Sequence, residues 1–182
     1  MALTLGGSDC EALQEGWLGQ PVNSLSSVAY VVAAAYVVRR DGPPVPALAL
    51  VVVGIGSVLY HGPMSPGAEL VHDGSIAALV VACLVAVWRG SLGWPPAPAL
   101  IAAAAGILVN ALTRTGAPLC RPDSPLQGHA AWHVLTAIAV ASWLGSPRGR
   151  RSETRSVRER LRRVGASSAR RSASARGSER HG

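Results

Sequence analysis

The sequence predicts an all-α membrane protein, a bundle of about five transmembrane helices with a disordered basic tail behind it. Three observations predict it. The 182 residues are 49% hydrophobic but only 4% aromatic with no Phe, and the Ala, Val, Leu and Ile fall in long runs instead of amphipathic periods. These runs approach the roughly 17–25 residues that a helix needs to cross a hydrocarbon core about 30 Å thick. All 17 basic residues are Arg, and twelve of them follow Gly145, so the formal charge of +7 belongs to the tail while the body is nearly neutral.

Residues 1–21 read as an external N-terminal segment. No basic stretch followed by an apolar one opens the chain, and Asp9, Glu11 and Glu15 lie where such a stretch would run, so no cleavable signal is expected. The bundle occupies residues 22–145, with spans predicted at 22–38, 45–60, 70–88, 96–112 and 129–144. Breakers separate them: Gly42, Pro43 and Pro44; Gly62, Pro63 and Pro66; Gly90, Gly93 and Pro95; then Gly116, Pro118, Pro122 and Pro125. Pro96 and Pro98 crowd the start of the fourth span, where proline is tolerated in the first helical turn.

Arg placement sets the orientation, because cytoplasmic loops are enriched in Arg and Lys. Arg39 and Arg40 follow the first span, Arg89 follows the third, and twelve Arg follow the fifth, against Arg114 and Arg121 on the other side. The expected protein is a multi-pass protein of the cell membrane, its N-terminus outside and its C-terminus cytoplasmic. Residues 146–182 are mostly Arg, Ser, Ala and Gly, a composition that cannot bury a core. A short basic helix at 156–164 is suited to anionic lipid headgroups, and no nucleic-acid partner is expected.

Ionisable side chains inside apolar spans are costly and usually face the bundle interior, so the few present carry most information. Ser57 and His61 share a face at the outer end of the second span through their i, i+4 spacing, beside Gly54 and Gly56, which permit close helix approach. His129 and His133 repeat that spacing at the outer start of the fifth span. Asp73, preceded by His72, opens the third span on the same side. Three neutral imidazoles plus a water make an open tetrahedral zinc site, where a carboxylate accepts a proton and a hydroxyl steadies an oxyanion. His61, His129 and His133 are the expected zinc ligands, with Ser57 and Asp73 as catalytic groups. His72 reads as interfacial, His181 as a tail residue, and Asn23, Ser27 and Asn110 as polar contacts between helices.

Cys10 and Cys120 fall on the outer side, whereas Cys83 lies within the third span, so topology permits a Cys10–Cys120 disulfide.

The pattern Gly-x-Gly-Ser-x3-His at 54–61, Asp73 at the next span, and His-x3-His at 129–133 together resemble the alkaline ceramidase family, part of a membrane hydrolase superfamily that includes the adiponectin receptors. Asp9-Cys10-Glu11 followed by Asn23-Ser24-x2-Ser27 resembles that family's N-terminal pattern. The resemblance implies a shortened version of a seven-helix fold, zinc on the three histidines, and hydrolysis of a lipid amide such as ceramide to sphingoid base and fatty acid. It also implies calcium on N-terminal residues, here Asp9, Glu11 and Asn23, although Gln20 stands where an acidic residue is expected. The Asp lies one residue further beyond the His than in the family, which draws His72 into consideration. Two alternatives from other classes are a b-type haem electron carrier using the same histidines, and a non-catalytic receptor or scaffold with a structural metal.

Overall fold

The computed structural model describes residues 7–146. Helices account for its regular structure, and there are no strands among the described residues: α1 (Pro21–Ser26), α2 (Val28–Arg39), α3 (Pro44–His61), α4 (Ala68–Trp88), α5 (Ala97–Thr113) and α6 (Gly128–Leu144). The expectations for the tail, including the basic helix at 156–164, lie outside the described residues.

The helices start and stop where chain chemistry requires. Proline stands in the first turn of α1, α3 and α5, where a missing N–H costs nothing. α1 and α2 form one rod with a tightened turn at Ser27, whose own backbone is helical. The Asn23 carbonyl there lies 2.8 Å from both the Ser26 and the Ser27 hydroxyls. Serine hydroxyls that bond back to the preceding turn compete with the helical ladder and bend it.

α2 packs between α3 and α6, α4 lies against α3, and α5 lies against α6. The order across the bundle is therefore α4, α3, α1–α2, α6, α5. The α4–α5 loop crosses one end of this row: Leu92 is buried in the same core as Leu144, and the Trp143 indole N–H donates to the Gly93 carbonyl at 2.8 Å.

The core is built from small and medium side chains, among them Ala33, Ala34, Val37, Leu50, Val53, Leu79 and Ala137. Large apolar side chains also cover the outside, including Val32, Leu48, Leu70, Val81, Leu84, Ile101 and Ile107. Helices apolar on their outward faces as well suit a lipid surrounding. Three helical stretches are long and apolar enough to cross a membrane, Pro21–Arg39, Pro44–His61 and Ala68–Trp88, while Ala97–Thr113 is apolar but shorter. The chain thus has the character of a helical membrane protein.

Two glycines of α3 set its distance from both neighbours. A Cβ on Gly54 would stand 2.8 Å from Val31 Cγ2 and 3.3 Å from the Ser27 carbonyl oxygen. On Gly56 it would meet the Val71 carbonyl oxygen at 3.2 Å and His72 Cα at 3.3 Å. The first glycine draws α3 onto the α1–α2 rod and the second draws α4 onto α3, which brings Ser57 to Ser27 and His72 towards His61.

Candidate metal centre

At one end of the bundle the end of α3, the starts of α1, α4 and α6, and the end of α5 converge on a group of imidazoles. The His61, His129 and His133 rings meet with centroids 4.9 Å apart for His61–His129, 5.2 Å for His61–His133 and 4.5 Å for His129–His133. All three are buried. Two local devices bring them there: His61 ends α3 before Gly62, and the i, i+4 repeat of α6 stacks His129 and His133 on one face.

Each ring is held by its Nδ1. His61 Nδ1 lies 2.7 Å from Gln20 Oε1, His129 Nδ1 is 3.0 Å from Asn110 Oδ1, and His133 Nδ1 is 2.8 Å from Ser26 Oγ. The amide oxygens of Gln20 and Asn110 can only accept, so Nδ1 of His61 and of His129 carries the proton and Nε2 carries a lone pair. Those two Nε2 atoms are buried and have no hydrogen-bond partner. Leaving a buried acceptor unpaired costs about 1–3 kcal/mol. His133 Nε2 has only Ser57 Oγ, at 3.4 Å. A fixed Nδ1–H with an unused Nε2 is the arrangement of a metal-ligating histidine.

Asp9 joins the group from the N-terminal segment. Its buried carboxylate stands 3.4 Å from His129 Nδ1 and 3.8 Å from His61 Nδ1. Ligand atoms of Asp9, His61 and His129 lie within 4.8 Å of one another, as do those of His61, His72 and His133. The buried His and Asp side chains can therefore hold a metal ion.

Ser57 is fully buried, 2.8 Å from Ser27 Oγ, beside His133. Asp73 departs from expectation. Its side chain is 70% exposed and its Oδ1 accepts from His72 Nδ1 at 2.8 Å, so it stands behind His72 and not at the centre. The one-residue displacement along α4 explains this, since successive helical residues point about 100° apart. His72 takes the inward position, stacked on Tyr60 at 4.8 Å and with its centroid 5.8 Å from that of His61.

The three residues expected to share calcium serve different partners. Glu11 accepts the backbone N–H of Val22 at 2.7 Å on one oxygen and that of Asn23 at 2.8 Å on the other, capping α1 from a distance. Asp9 turns to the histidines, and the Asn23 amide lies 3.4 Å from Gln20 Oε1. The disulfide forms as topology permits: Cys10 and Cys120 are joined with Cα atoms 5.6 Å apart, and Cys83 is free and buried.

Sequence reasoning missed Gln20, Ser26 and the inward placement of His72, and it took Asn110 for a plain interhelical contact. Asn110 carried a signal, as a lone amide in an apolar helix. Gln20 stands out in the sequence only as a neutral residue where the resemblance expects an acidic one, and a polar residue before Pro21 gives no sign that its amide holds His61.

No protein-family model matches the chain, and neither a curated protein nor a solved structure matches it.

Proposed function

We propose that this chain is a membrane-embedded, zinc-dependent hydrolase of a lipid amide, similar in activity to the alkaline ceramidases, with five membrane spans. The observation that carries the reading is the set of three buried imidazoles, each fixed at Nδ1, two of them with an unpartnered Nε2. His61, His129 and His133 would hold the ion. Neutral nitrogen ligands in a closely grouped set of three suit zinc with one open position. Bound zinc would supply Lewis acidity and bring the pKa of a water to about 7.

The protein groups divide the remaining work. The Ser57 hydroxyl, beside His133, would donate to the oxygen of an amide carbonyl as charge develops there. His72, and not Asp73, faces the cluster, so His72 accepts the proton from water and passes it to the leaving amine. Asp73 holds the far nitrogen of that ring, as a carboxylate orients a catalytic histidine. The substrate class rests on the resemblance to the alkaline ceramidases, and the position of these groups near helix ends beside exposed apolar residues such as Leu70 and Val71 supports a lipid substrate.

The haem alternative finds no support here. Axial imidazoles stand on opposite faces of a porphyrin, whereas these ring centroids lie only 4.5–5.2 Å apart, edge to face or tilted. Purified protein should contain stoichiometric zinc and no Soret band, and it should release sphingoid base and fatty acid from ceramide. His129→Ala should lower both metal content and turnover. Protein without stoichiometric zinc, or with cleavage unchanged in His129→Ala, would defeat the proposal. Metal without turnover across amide and ester lipids would favour a scaffold with a structural ion.

A further inference from the structure

The N-terminal segment places a buried carboxylate against two imidazoles. Asp9 is about 6% exposed; one oxygen accepts from Ser8 Oγ at 3.0 Å and the other has no hydrogen-bond partner. Among the described residues its ion-pair neighbours are His61 and His129, and no Arg lies within pairing distance. A buried carboxylate beside neutral imidazoles is unfavourable unless positive charge reaches it. That charge would come from an ion on the opposite edge of the rings. The carboxylate lies along the Nδ1 edges, where Gln20 and Asn110 already accept the ring protons, while the unused lone pairs are on Nε2.

The chain holds this placement firmly. Cys10 is bonded to Cys120 and its N–H donates to Thr115 Oγ1 at 3.1 Å. The Thr115 N–H donates to the Ser8 carbonyl at 3.0 Å, and the Ala12 N–H to the Pro122 carbonyl at 3.1 Å. Glu11 anchors the far side on α1. Cys10 adopts φ 66°, a left-handed conformation that a non-glycine residue keeps only when its surroundings fix it.

We propose that Asp9 is a positioning residue for the metal centre, a charge partner behind His61 and His129 that the disulfide-bonded N-terminal segment delivers to the site. This rests on the metal reading above. With Gln20 and Asn110 fixing the ring orientations, the carboxylate behind the two imidazoles acts through its charge, which raises their basicity as ligands, and loss of an outer partner of a ligating histidine typically lowers metal affinity about 10–100-fold.

The test is a cobalt(II) titration of the full-length protein in detergent against a competing chelator, reading affinity and the visible ligand-field bands. Asp9→Asn keeps the shape and the Ser8 contact but removes the charge; it should bind cobalt about 10–100-fold more weakly with bands in the wild-type position. Asp9→Glu should recover part of the loss. Unchanged affinity in Asp9→Asn overturns the inference, and so does a displaced band pattern, which would make Asp9 a direct ligand. Should Asp9→Asn fail to fold, the Cys10→Ser/Cys120→Ser variant carries the test: weakened cobalt binding supports delivery by the strap, and wild-type affinity overturns it. Wild-type protein that takes up no cobalt would instead defeat the metal reading itself.

Discussion

An imidazole in a helix of this kind is expensive unless both ring nitrogens have work to do, and the site is best understood by following each nitrogen. Gln20, Asn110 and Ser26 occupy the Nδ1 atoms, and that occupancy makes the Nε2 atoms of His61 and His129 available. The same reasoning separates His72 from the other three. Its Nδ1 is held by the exposed carboxylate of Asp73, which orients the ring as a carboxylate orients a catalytic histidine. His72→Ala should therefore lower turnover by about 10²–10⁴-fold while zinc content stays near wild type. Asp73→Asn should give a smaller loss of kcat and leave zinc content unchanged. Steady-state kinetics alongside metal analysis separates these outcomes, and loss of zinc in His72→Ala would make that residue a ligand. The histidine spacing in the sequence revealed the three imidazoles, because i, i+4 pairing survives any small change in helix boundary. It did not reveal whether 72 or 73 points inward, because that choice turns on about 100° of helix rotation.

At the scale of elements, the helices follow the apolar runs closely, since run length and the proline and glycine breakers are local properties that packing does not overrule. What was not legible is the neighbour order, with α4 and α5 at opposite edges although consecutive in sequence. Packing through Gly56 is one physical cause, because it seats α4 on α3 through backbone contact. Gly56→Val should consequently drive the two helices apart, with a stability loss of about 1–3 kcal/mol and reduced turnover as His72 moves away. Gly74, one residue beyond Asp73, provides the contrast: a Cβ there meets nothing within 4 Å. Gly74→Ala should be neutral or stabilising by about 0.4–1 kcal/mol through the unfolded state. Thermal unfolding in detergent distinguishes the two substitutions, and equal effects would mean that the close approach at Gly56 is not what seats α4.

For the whole molecule, two features distinguish the ends of the bundle. One is the disulfide, which ties the N-terminal segment to the α5–α6 loop across 110 residues of sequence, a cross-link typical of oxidising compartments. A closed loop of that length would stabilise the fold by about 4–5 kcal/mol on the chain-entropy account, so Cys10→Ser/Cys120→Ser should lower the unfolding temperature markedly. The other is the placement of exposed tryptophans, with Trp17 near the metal-centre end and Trp88 and Trp94 at the α4–α5 turn, as side chains suited to the two membrane interfaces. Between those belts α5 has 17 residues, about 26 Å of helix, which crosses a bilayer core of about 30 Å only with some local thinning. If α5 and α6 cross along with the three longer stretches, the α4–α5 turn and the α5–α6 loop face opposite sides. Ser91→Cys should then react with a membrane-impermeant maleimide only after the membrane is opened, and Asp123→Cys should react on intact cells. Labelling of both from the same side would mean that α5 lies along the interface and does not cross. That result would leave α6 without its return path and remove the five-span arrangement, even with the histidine cluster intact.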